Sequence, residues 1–178
     1  MKGIIFTEFM DLVEEKFGLE VLDTVLSMSA NPGAYTSVGS YDHRELVRLI
    51  QNLSQVTGVS SEQLQQLFGR AAFDNLYLSL PSNVSTPHFS SCFAFIRHVE
   101  EYIHLEVKKL YPDAKPPRFE FISESQSYME FDYRSARCLA HVCFGLIKGC
   151  AAHFGERVDI VMTPQSAPSH VRFALTLV

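Results

Sequence analysis

The hydrophobic period of this chain changes once, at a run of prolines, and that change limits the possible folds more than any other feature. Before Pro112, apolar residues recur every three or four positions. Ile5, Phe6, Phe9, Met10, Leu12, Val13 and Phe17 do so ahead of Gly18. Leu46, Leu49, Ile50 and Leu53 do so ahead of Gly58. Phe89, Phe93, Ile96, Val99, Ile103, Val107 and Leu110 make a longer stripe. Such spacing predicts helices with one buried face. After Pro116-Pro117 the pattern is different. Arg118 to Ile122 and Tyr128 to Tyr133 read as a hairpin around Ser123-Glu124-Ser125-Gln126-Ser127, and Val158 to Met162 and Val171 to Val178 read as two more strands.

Local signals fill in the rest. Leu19 to Met28 is expected to be a second short helix. Asp42 can cap a third, and Ser60 with Gln63 three residues on is a capping box for a fourth. Pro81 to Pro87 reads as a polar loop, followed by a long helix from about His88 to Leu110. Pro112 and Pro116-Pro117 close that helix and hold an extended linker. Ala136 to Phe154 is expected to be a helix among the strands. The class is therefore α+β, with a helical first part and a small antiparallel sheet carrying a long helix.

A chain of 178 residues can bury one sizeable core. Its net charge of -5 argues against a nucleic-acid partner, which normally meets a basic face. The apolar start Met1-Lys2-Gly3-Ile4-Ile5-Phe6 is interrupted by Glu8, Asp11, Glu14 and Glu15 before it could serve as a signal peptide or membrane span. A cytoplasmic location without membrane insertion is the expectation, and the four cysteines are then read as thiols.

Two features carry chemistry. Tyr133-x-Ser135-x-Arg137 places a phenol, a hydroxyl and a guanidinium two residues apart, so an extended backbone aims them to one side. They are donors with one fixed positive charge, suited to a carboxylate-bearing ligand. His104 lies at the edge of the long helix's apolar stripe, and a neutral imidazole is a good iron ligand. One metal ligand and one carboxylate clamp are what a haem needs.

Taken with Met1-Lys2-Gly3-Ile4-Ile5-Phe6, Ile103-His104-Leu105-Glu106-Val107, Pro116-Pro117 and Gly145-Leu146-Ile147 in this order and spacing, the motif makes the chain resemble the H-NOX family of haem nitric oxide/oxygen binding domains. The resemblance runs over essentially the whole chain. It implies a single domain over 1–178, with a helical subregion at about 1–60 and a haem-clamping, sheet-containing subregion at about 61–178, the haem lying between them. The cofactor implied is haem b (Fe protoporphyrin IX), with His104 as proximal iron ligand and Tyr133, Ser135 and Arg137 on the propionates. Pro117 matches the proline that distorts the haem, and Ile5 and Leu146 match apolar pocket residues.

The resemblance also bears on the gas. Members that bind O₂ use a tyrosine at the position matching Val142, supported at positions matching Phe9 and Ala72; none of these three side chains can donate a hydrogen bond here. The expectation is a non-enzymatic sensor that binds NO and CO and excludes O₂. NO would break the bond to His104, let the haem relax away from Pro117 and shift the two parts. The partner implied is a sensor histidine kinase or a cyclic-di-GMP enzyme, diguanylate cyclase or phosphodiesterase.

Other readings have their own marks. A haem enzyme such as a peroxidase needs a distal acid or base, which Ile5, Phe9, Val142 and Leu146 do not supply. A haem-free interaction module would purify without pigment. No Gly-x-Ser-x-Gly, His-Glu-x-x-His or phosphate loop marks a hydrolase. The pairs Cys138/His141 and Cys150/His153 share a helix face. Relatives with a zinc site in this region use positions matching Ala140 and Val142, so zinc is not expected.

Overall fold

The computed structural model describes residues 1–80, 89–112 and 114–178. The expected loop at 81–87, the helix start at His88 and the side chain of Leu110 lie outside the described residues.

The first part is helical: α1 (Ile4–Phe17), α2 (Leu19–Met28), α3 (His43–Thr57) and α4 (Ser61–Leu78). Gly18 separates the first two with φ +89°, which a side chain would strain. Asp42 caps α3 by accepting from the Arg44 amide at 2.9 Å. Ser60 and Gln63 close the expected capping box on α4, the Gln63 amide donating to Ser60 Oγ at 3.2 Å. The buried faces of these helices form one core around Phe6, Phe9, Leu46, Leu49, Ile50 and Phe68.

The second part begins with the long helix, which is three segments on end: α5 (Cys92–His98), a π-helical turn (Val99–Ile103) and α6 (His104–Leu110). The π turn is not visible in the hydrophobic spacing, because the stripe residues Val99 and Ile103 remain four apart. After Pro117 come β1 (Arg118–Glu124), β2 (Tyr128–Arg134), α7 (Ala140–His153), β3 (Val158–Pro164) and β4 (His170–Leu177). The strands form one antiparallel sheet in the order β1-β2-β4-β3. Phe131 pairs with Phe173 across β2–β4, their rings stacked at 5.3 Å. With Met129 and Leu175 they are fully buried under α5 and α7. Each such side chain contributes about 1.5–3 kcal/mol by leaving water. The fold is α+β, as the change of period predicts.

Several boundaries differ from the sequence expectation by a residue or more, and two of the differences have a visible cause. β1 runs on to Glu124 with a register shift between Phe121 and Ser123, which turns Ile122 outward. α7 starts at Ala140 rather than Ala136, because Cys138 adopts φ +53° and a helix cannot pass through that conformation.

The two cores meet along α4, which gives Leu64, Phe68 and Ala72 to one and Phe73 to the other. α4 crosses α7 in direct backbone contact. A β-carbon on Gly69 would overlap Val142 O, and one on Gly145 would overlap Gln66 O. His141 meets Gln66 at 3.0 Å and His153 meets Asp74 at 2.9 Å across the same crossing.

Candidate functional site

A cavity of about 660 Å³ opens where the two cores come together. Its size falls within the range of about 300–1,000 Å³ usual for cofactor sites. One wall is made by the long helix and β1, with Ile103, His104, Val107, Pro117 and Phe119. An apolar wall comes from Ile5, Phe68, Val142 and Leu146, on α1, α4 and α7. Ile5 is placed there because the first residues are pinned to the loop after α2: Lys2 bridges Ser40, and the Gly3 amide donates to Gly39 O at 2.8 Å.

At the cavity's edge stand Tyr133, Ser135 and Arg137. The chain is extended only as far as Ser135. There the hydroxyl of Ser135 accepts the Arg137 amide at 3.3 Å, making a turn where continued alternation was expected. All three side chains nevertheless face one cavity. Tyr133 is 4% exposed, and burial pushes its phenol up, so it stays a donor. Burial lowers the Arg137 guanidinium, and among the described residues no carboxylate pairs with it. A half-buried cation without a protein anion, beside a phenol and a hydroxyl, is a seat for a ligand's acid group.

His104 is held from behind. Its Nδ1 lies 2.8 Å from Glu100 Oε2, and its ring meets Phe119 edge-on at 5.3 Å. With Nδ1 engaged, Nε2 is the nitrogen left for a metal. The donor set, the acid seat and the apolar wall fit a haem: one imidazole, one cationic carboxylate clamp and apolar lining in one cavity.

Of the residues singled out in the sequence, His104, Pro117, Tyr133, Ser135, Arg137, Ile5, Val142 and Leu146 all line this cavity. Phe9 and Ala72 do not. They are buried behind the apolar wall, where Phe9 packs edge-on against the lining residue Phe68 at 5.4 Å. Sequence reasoning missed Glu100, to which it gave no role, and Tyr77, which lines the cavity at the far end of α4. Tyr77 packs there among Phe73, Phe95 and His153, its ring centroid 4.5 Å from that of His153. It also missed Cys143, a lining thiol that burial pushes up to about 12. The paired Cys–His positions do not form a metal site: Cys138 lies ahead of α7 in a left-handed conformation, so it shares no helix face with His141, which turns to Gln66. Cys150 is buried against Cys92, while His153 turns to Asp74.

A fold of this kind around such a cavity defines a class of protein, one that can hold an acid-bearing cofactor beside a single histidine. The Haem-NO-binding family model matches residues 2–162. The chain belongs to that family, whose domains bind haem and act as sensors rather than enzymes. The unliganded Fe(II) H-NOX protein from K. algicida is 35% identical, with 100% of this chain and 97% of that one covered and a TM-score of 0.90. The H-NOX from Shewanella woodyi, solved bound to IWP-051 in the Fe(II)CO state, is 38% identical, with 99% and 94% covered and a TM-score of 0.80. The H-NOX protein from S. oneidensis in the Fe(II)NO state is 27% identical, with 100% and 99% covered and a TM-score of 0.87. No curated protein matches the chain at a significant level. Among the described residues no helix is long and apolar enough to cross a membrane.

Proposed function

We propose that this chain is a nitric oxide sensor of the cytoplasm. It holds haem b, takes NO and CO at the ferrous iron, excludes O₂, and signals by a change of shape to a partner protein. The observation that carries the reading is one cavity lined by His104, by Tyr133, Ser135 and Arg137, and by the apolar side chains of Ile5, Phe68, Val142 and Leu146. Relatives solved in NO- and CO-bound states support the choice of gases.

When bound, the haem would supply a ferrous iron able to take a diatomic gas. His104 would hold the iron through Nε2. Tyr133, Ser135 and Arg137 would bind the two propionates and orient the ring. Pro117, which lines the same cavity, would press on the ring and distort it. Ile5, Val142 and Leu146 exclude water and offer no side-chain donor, and Phe9 and Ala72 behind them offer none either. A missing hydrogen bond in a dry site matters at about 1–3 kcal/mol. That is roughly ten- to a hundredfold in affinity, enough to disfavour O₂, which needs such help more than NO does.

His104 is the trigger. Loss of its bond to iron would free the chain at Pro117 from the pressure of the haem. The helical subregion at about 1–60 and the clamp-bearing subregion at about 61–178 can then settle differently, and a partner that binds the two arrangements unequally reads the change. A sensor histidine kinase or a cyclic-di-GMP enzyme fits that role. Absorption spectra of the ferrous protein alone, with NO, with CO and in air test the reading. Shifts with NO and CO and none with air are expected. A stable change in air that reverses when O₂ is removed would overturn the selectivity.

A further inference from the structure

Glu100 stands one turn before His104 on the long helix, and its Oε2 does two things at once. It lies 2.8 Å from His104 Nδ1, and it accepts the backbone N–H of Phe119 at 3.1 Å. A carboxylate can only accept, so Nδ1 carries the hydrogen and the lone pair stays on Nε2. Phe119 belongs to β1, where it pairs with Tyr133 of the clamp strand, and its ring also meets the His104 ring edge-on. One oxygen thus joins the histidine, the strand after Pro117 and, through one ladder pair, the carboxylate clamp.

The setting keeps this arrangement tight. The side chains of His104 and Glu100 are 13% and 22% exposed, so water competes little for either. The backbone is specialised at the same place. Residues Val99–Ile103 form the π-helical turn, and the His104 amide donates to Val99 O five residues back. Such turns concentrate where a helix must aim a functional side chain. Other acids nearby have different tasks: Glu101 and Glu124 both pair with Arg97, and Glu106 pairs with Lys109.

We propose that Glu100 is the positioning residue of the proximal histidine. It fixes the imidazole's tautomer, strengthens its donation to iron through the hydrogen bond at Nδ1, and couples His104 to β1. The proposal rests on the haem reading above and deepens it. A partner of this kind makes the histidine a stronger ligand. It also keeps the ring seated against Phe119 after the iron bond is lost, so that His104 can rebind and the sensor can reset.

The test uses the ferrous haem protein and its Glu100→Ala and Glu100→Gln variants. Three readouts apply: the iron–histidine stretching band by resonance Raman, haem transfer to excess apomyoglobin, and exchange of the Phe119 amide hydrogen. In E100A the band should fall in frequency, haem transfer should quicken about tenfold or more, and Phe119 should exchange faster. E100Q keeps a neutral acceptor for Nδ1–H and should fall between. A full Soret band with an unmoved iron–histidine band in both variants overturns the proposal and leaves the haem reading standing. A parent protein without a Soret band overturns both. If E100A does not fold, E100Q decides: a lowered band supports the proposal and an unmoved one overturns it.

Discussion

Gly69 and Gly145 meet where α4 crosses α7, and a β-carbon built on Gly69 would lie 3.0 Å from the Cα of Gly145. The contact is backbone on backbone, and it brings Val142 and Leu146 of α7 into the same wall as Phe68 of α4. Replacing Gly145 with Ala drives a methyl group into Gln66 O, which cannot move without α4. We expect G145A to lose about 1–3 kcal/mol in urea unfolding, as overpacking does. Alanine at Gly155, where nothing lies within 4 Å but φ is +69°, should cost less, about 1 kcal/mol, through backbone strain alone. Equal stability of G145A and the parent would show that the helices do not touch in this way.

The gas preference follows from what the apolar wall lacks. Val142→Tyr puts a phenol where the wall has none, and the ferrous variant should then hold O₂ in air-saturated buffer. Tyr77 is the competing source of a hydrogen bond, since it lines the same cavity. Its ring is held among Phe73, Phe95 and His153, so Tyr77→Phe should leave the parent's spectra in air and in NO unchanged. Loss of any gas response in Y77F would move the donor question to α4.

Arg137 is a guanidinium without a protein partner among the described residues. If it waits for a propionate, Arg137→Ala should speed haem transfer to apomyoglobin by roughly ten- to a hundredfold, the worth of a charged hydrogen bond at about 1.5–3 kcal/mol. Ser135→Ala should do less, and it also loosens the turn that places Arg137. The transfer rate should leave Arg134→Ala unaffected, because that arginine is exposed and pairs with Glu120.

Acid stability has its own centre away from the cavity. Asp132 on β2 binds Arg172 through two oxygens at 2.8 and 3.0 Å and has His170 at 2.9 Å. The hydrogen bonds from Arg172 come first among the causes that hold its carboxyl down at about 2, below the unfolded value near 4. The folded state therefore releases this proton more readily, and the stabilisation is complete above about pH 4. It is lost as pH falls through about 2. The Arg172 side chain is partly exposed, so solvent screening limits what the pair contributes. Unfolding free energies of D132N and the parent should differ at pH 6 and converge towards pH 2; a constant gap would remove Asp132 from the acid response.

The elements were legible because their signals are local. The capping box at Ser60, the stop at Gly58 and the prolines before Arg118 each act within a few residues, and each does in the structure what its sequence suggests. The cavity's membership was legible through resemblance rather than spacing: nothing within a few residues of Ile5 or Leu146 announces that they share a cavity with His104. What escaped depends on contacts between distant segments or on backbone detail. Glu100 looks like any charge on a helix until β1 brings the Phe119 amide to it. The left-handed Cys138, which delays α7, carries neither glycine nor asparagine to mark it. Resemblance puts Phe9 and Ala72 at the pocket, but both are buried outside its lining, and Phe68, packed against Phe9, takes the lining place.

All of this depends on His104 and the face it presents. The most direct measurement is the absorption spectrum of the His104→Gly variant, expressed with ample haem and compared with the parent, each with and without free imidazole. The parent should show a Soret band that moves with NO. The variant should lose it and recover it only when imidazole is added. A parent with no Soret band, or a variant whose band is unchanged without imidazole, would contradict the account.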